Sequence, residues 1–149
     1  MTLAASAAGA QTLVERGAYL INTVMACNSC HTPFGPNGPD LSRLLSGGRT
    51  FDEPRFKAGE TGHDFTKAGR GGTVFKGPFG ESISANLTSH PTKGLGGWSD
   101  EEIKRAVTQG ISRDGRRLKP PMAYAAYAHM TPQDQNALVA FLRTLPALD

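Results

Sequence analysis

One pentapeptide constrains this chain more than any other stretch: Cys27-Asn28-Ser29-Cys30-His31. It reads C-x-x-C-H, the spacing at which two thiols add across the vinyl groups of a haem and the next histidine stands under the iron. The chain has only two cysteines and both lie here, so the match is not one pair chosen among many. A structural zinc site would need a second pair of ligands at matching spacing, but the remaining histidines, His63, His90 and His129, are scattered. A thioredoxin-like redox pair would need a strand before the motif and a helix after it. Here a helical pattern precedes the motif and a Pro/Gly loop follows it. A bare disulfide would leave His31 without a role. The expectation is one covalently bound haem c, anchored by Cys27 and Cys30, with His31 as an axial iron ligand.

A length of 149 residues suits one domain. The hydrophobic fraction is 38% and the aromatic fraction 7%, lean for a free-standing core, and a haem would supply the missing apolar surface. Eighteen glycines and ten prolines point to helices joined by long irregular connections. The net charge of +3 is too small and dispersed to argue for nucleic acid. No stretch is long enough to span a bilayer. Residues 1–11 are rich in small side chains and contain Ala8-Gly9-Ala10, which resembles a signal-peptide cleavage site. They read as an export-signal remnant or linker, and residues 12–149 as the domain. Haem attachment to C-x-x-C-H is normally done outside the bacterial cytoplasm, which also favours a periplasmic protein.

The spacing of Leu13, Gly17, Leu20, Ile21 and Val24 predicts a helix over residues 12–25, opened by a capping box of Thr12 and Glu15. Glycine is costly inside a helix, so Gly17 predicts the close crossing of another helix, with Tyr19 packed beside it. Residues 32–42 read as loop and 41–45 as a short helical turn, broken at Gly47-Gly48. Around Gly77-Pro78-Phe79-Gly80 the alternation predicts a small β-hairpin. Residues 55–72 read as an inserted surface loop. Trp98-Ser99-Asp100-Glu101-Glu102-Ile103 carries a second capping box, with Trp98 and Ile103 as its hydrophobic staple, Ile103, Ala106 and Val107 as the buried stripe and Gly110 as the stop. A last helix starts at Thr131 with Pro132 in its first turn, buries Leu138, Phe141, Leu142 and Leu145, and ends before Pro146.

An iron held by one histidine needs a sixth ligand or stays open. Met1 is terminal and Met25 lies too close to Cys27, leaving Met122 and Met130, with His129 as a third candidate. Met122 follows Pro120-Pro121, which stiffen an irregular loop. It is favoured over Met130, which stands where a helix entrance needs a packing residue. A thioether opposite the histidine raises the reduction potential and, when bound, closes the iron to small ligands.

With these residues in place the chain resembles the class I cytochrome c family. The shared features are the first helix with Gly17 and Tyr19, C-x-x-C-H, a loop, an amphipathic helix, a methionine loop and a last helix with Phe141. Gly38-Pro39-Asp40-Leu41 and the later Gly48-Arg49 look like two of the family's loop motifs. The segments 84–88, 96–103, 114–116 and 121–124 are similar to one branch, the monohaem electron-transfer subunits of bacterial alcohol, aldehyde and related dehydrogenases. The likeness covers the chain beyond Gln11. Here Ala123 stands where that branch has proline, and 55–72 is extra. The resemblance implies an all-α fold of three to five helices around one haem, with long loops and a small hairpin. It implies Met122 as the axial ligand, Pro39 as the carbonyl that accepts the His31 Nδ1 proton, and Arg49, Trp98 and Asn86 as partners of the haem propionates.

The function expected is transfer of single electrons between a dehydrogenase and a downstream cytochrome or oxidase, with no substrate chemistry of the chain's own. Arg113, Arg116, Arg117 and Lys119 lead into the Met122 loop and would dock an acidic redox partner. The rival reading is a haem enzyme or gas sensor with an open sixth site, for which His129 is the only acid–base candidate at hand.

Overall fold

The computed structural model describes residues 11–35, 37–48 and 74–149. The Ala-rich stretch 1–10, Arg49, His63 and the insertion 55–72 lie outside the described residues. Helix α1 (Leu13–Tyr19) opens as its sequence requires: Glu15 N–H donates to Thr12 Oγ1, and Thr12 N–H donates to Glu15 Oε2. It runs into a π-helical segment, Leu20–Val24, and then α2 (Cys27–His31). Two short ladders follow. β1 (Phe34–Gly35) pairs with β2 (Gly38–Pro39) in a stretch read as plain loop, and a 3-10 turn spans Leu41–Arg43. β3 (Val74–Gly77) and β4 (Gly80–Ile83) form the expected hairpin, with Gly77 opposite Gly80. Helices α3 (Asp100–Gln109), α4 (Tyr124–Tyr127) and α5 (Pro132–Thr144) complete the chain. Among the described residues no helix is long and apolar enough to cross a membrane.

The core forms around α5, against which α3 and the π-helical segment pack. Ile21, Leu45, Leu95, Ile103, Leu138, Val139, Leu142 and Leu145 are all buried in one cluster, with Trp98, Val107 and Phe141 packed on its margin. Burying each such Leu or Ile contributes roughly 1.5–3 kcal/mol, more than the surface ion pairs around it. Gly17 is the crossing point of α1 and α5: a Cβ there would lie 2.0 Å from the carbonyl oxygen of Ala137 and 2.7 Å from Phe141 Cβ. Arg143 fastens α5 to the entrance of α3 by donating to the carbonyls of Leu95 and Trp98 and to Asp100.

Three expectations for the first helix fail. Leu13 and Val24 are 54% and 58% exposed rather than buried. The wider π turn at 20–24 advances each residue by a smaller angle than an α turn does, so Val24 rotates away from the stripe set by Leu20 and Ile21. Tyr19 is 47% exposed rather than buried in the crossing; its ring lies under the Arg16 guanidinium, 5.9 Å from the centroid.

Candidate functional site

Ala26 makes the turn that presents the C-x-x-C-H motif. Its backbone is left-handed (φ 50°, ψ 38°), which ends the first helical run and starts α2. Its carbonyl accepts from Ser29 N–H and Ser29 Oγ. Cys27 and Cys30 stand three apart on α2 and so share a face. Both are free, half-buried thiols, with Cys27 against the apolar core. Burial pushes the Cys27 thiol up to about 11, and the neighbouring Cys30 adds to the rise. Among the described residues no group of three or more His, Cys, Asp or Glu could share a metal ion.

His31 is held by the segments that flank it in space. Its carbonyl accepts from Gly47 N–H at 2.7 Å, and its Nδ1 donates to the carbonyl of Ala85 at 2.7 Å. Burial lowers the basicity of the imidazole, and the bond to Ala85 partly restores it. The expected acceptor, Pro39, is therefore replaced. Pro39 pairs with Phe34 in the first ladder and is exposed. The reason lies at Gly47, whose φ of +77° and lack of a Cβ let the chain at 84–87 lie directly on 45–48. A Cβ there would be 2.6 Å from Ala85 C and from Asn86 N. Gly48 N–H donates to Ser84 O, and Leu87 N–H to Leu45 O. The buried Thr32 hydroxyl accepts from Leu45 N–H.

The candidate sixth ligands separate by environment. Met25 and Met130 pack on the apolar core. His129 is exposed, and Met122 is half-buried outside that core. The Met122 loop is framed by a backbone clasp in which Ser112 N–H donates to Arg116 O and Leu118 N–H to Gly110 O. Beyond it, the Tyr127 hydroxyl donates to Met25 O at 3.2 Å. Burial raises the Tyr127 phenol, and Cys27 and Cys30 raise it further; the carbonyl it bonds lies two residues before Cys27. Sequence reasoning passed over both Tyr127 and Ala85. A backbone carbonyl leaves no mark in sequence, and the only sign of Tyr127 was an aromatic ring with a polar tip among alanines.

Asn86 ties two chain segments together: its Nδ2 donates to Leu148 O, and its Oδ1 accepts from Thr88 N–H and Oγ1. Trp98 packs on the core cluster that includes Ile103. The basic loop is partly neutralised. Arg113 lies 3.6 Å from Glu102 and Arg116 3.7 Å from Asp114, while Lys119 Nζ donates to Glu81 O. Arg117 is exposed and has no ion-pair partner among the described residues.

A family model described as Cytochrome c matches residues 14–146. The chain belongs to the cytochrome c family. It is 36% identical over 131 residues to the fructose dehydrogenase cytochrome subunit of Gluconobacter japonicus, covering 88% of this chain and 21% of that protein. The cytochrome c subunit of a quinone alcohol dehydrogenase from Komagataeibacter europaeus is 41% identical over 71 residues, 48% of this chain and 15% of its own. The gluconate 2-dehydrogenase cytochrome c subunit of Pantoea cypripedii is 35% identical over 71 residues, 48% of this chain and 16% of its own. The chain thus spans about a fifth or less of the length of these relatives. Family membership implies covalently bound haem c, and the cytochrome's paired thiols and oriented histidine fit that group. Its relatives support electron transfer as the function.

Proposed function

We propose that this cytochrome binds one haem c and passes single electrons between a periplasmic dehydrogenase and a downstream acceptor. The observation that carries the reading is the orientation of His31. Its Nδ1 proton is committed to Ala85 O, so Nε2 is the ring atom left for iron, and the carbonyl keeps the ring fixed and electron-rich. The haem, when bound, supplies a one-electron couple. Cys27 and Cys30 would hold the haem by their thioethers, and the Gly47–Ala85 shelf, by the bonds to Ala85 O and from Gly47 N–H, would keep His31 in place.

Met122 is the sixth ligand in this reading. It stands outside the apolar cluster that occupies Met25 and Met130, in a loop whose two ends are tied down. As a ligand it would close the iron to small molecules and raise the potential, which favours a carrier over a site that activates substrates. Arg49, Trp98 and the second amide hydrogen of Asn86 would meet the haem propionates. Arg117, with Arg113, Arg116 and Lys119, would draw in an acidic redox partner.

Absorption spectra of the oxidised, reduced and CO-treated reduced protein test this. The parent should show a low-spin c-type spectrum with a weak near-red thioether–iron band and should ignore CO. Met122→Ala should lose that band and bind CO. A parent that binds CO freely would put an open-site enzyme or sensor in its place.

A further inference from the structure

We infer that Tyr127 is a positioning residue for the sixth iron ligand, its hydroxyl tethering the Met122 loop to the C-x-x-C-H end of the first helix. The inference rests on Met122 as ligand. A helix end leaves its last carbonyls without donors from its own helix, and Ala26 turns the chain away immediately after Met25. The Tyr127 hydroxyl, 102 residues further on, donates to that Met25 carbonyl at 3.2 Å.

Beyond the clasp at 110–118 and the Lys119 bond to Glu81 O, the segment that carries Met122 has few bonds of its own. Met122 N–H makes only a 3.3 Å turn bond to Lys119 O, and α4 is four residues long with no side-chain cap. A helix that short does not fix a loop by itself. Two tyrosines fix it. The Tyr124 ring covers the end of α3, where a Cβ on Gly110 would come within 2.5–2.6 Å of three ring carbons. Tyr127 fixes the other end, on the element that leads into Cys27 and His31. Only the second contact relates the methionine to the iron's other ligand, because α3 carries neither cysteine nor histidine.

An external ligand binds in proportion to the fraction of molecules whose sixth position is open. Losing one ordinary hydrogen bond should raise a small open fraction roughly fivefold. The test uses holoprotein in three forms: parent, Tyr127→Phe and Tyr124→Phe. CO affinity of the reduced forms, the near-red band of the oxidised forms and Tm are measured on each. Tyr127→Phe should bind CO roughly fivefold more tightly and show a weakened band, while Tyr124→Phe matches the parent in both. A lower Tm for Tyr127→Phe with parent-like CO affinity and band would overturn the inference and leave Tyr127 a structural contact. A parent without the band that already binds CO would instead remove the Met122 reading, and the tether with it.

Discussion

His31 Nδ1 lies 2.7 Å from the carbonyl oxygen of Ala85, a residue 54 positions away along the chain. This bond, and the one from Gly47 N–H to the carbonyl of the same histidine, make the setting of His31 a product of three chain segments.

Gly47→Ala attacks that shelf without touching His31. The position needs φ +77°, and the new Cβ would press on Ala85 and Asn86 backbone at 2.6 Å. The expected cost is roughly 2–4 kcal/mol of stability, read by denaturant unfolding. The reduction potential should shift with it as the Nδ1 bond is displaced; an unchanged potential and stability would show that the shelf does not hold the histidine.

Gly17→Ala tests the helix crossing. A Cβ 2.0 Å from Ala137 O cannot be absorbed by a rotamer change, because its neighbour is backbone. The two helices must separate, at roughly 2–4 kcal/mol. The visible spectrum should keep its c-type form while the unfolding midpoint drops.

Haem retention separates the two thiols. Cys27→Ala and Cys30→Ala should each leave one thioether, and the double variant none. After denaturing electrophoresis, haem stain should persist in the single variants and vanish in the double. Stain surviving in the double variant would mean that the haem is anchored elsewhere.

Asp134 links pH to stability. The Arg16 guanidinium, 2.8 Å away, holds the Asp134 carboxyl below its ordinary value of 3.8, and Thr131 assists. A depressed carboxyl stabilises the fold at pH above the unfolded value, and that contribution is lost as pH falls through the folded value. Asp134→Asn should therefore lower Tm at neutral pH and converge with the parent at strongly acid pH. Because the pair is partly exposed, the gap should shrink in high salt. A gap independent of pH would point to lost packing instead.

Local chemistry made much of this molecule legible in sequence. Both capping boxes, the Gly110 stop and the hairpin at 77–80 follow from groups a few residues apart, whose geometry is fixed by the backbone between them. The attachment motif is equally local: two thiols and an imidazole within five residues dictate the chemistry whatever surrounds them. Gly17 told of a crossing helix, because a missing side chain marks where another backbone must come close.

The remainder depended on distance in space. The exposure of Val24 turns on a π segment that propensity does not encode. Asn86 makes the local turn bond to Thr88 N–H that its residue type suggests, and the fold adds a bond from its Nδ2 to Leu148 O that no local pattern announces. Pro39 matched a family motif, but a backbone carbonyl is present at every residue, so sequence alone could not say which one would face His31. That was decided by Gly47 letting two segments lie against each other, and the result is Ala85. Sequence by itself carried the C-x-x-C-H signature on which the proposal of a haem held through Cys27, Cys30 and His31 rests. Tertiary structure decided what holds the histidine, because that contact is made by a group that carries no side-chain signature.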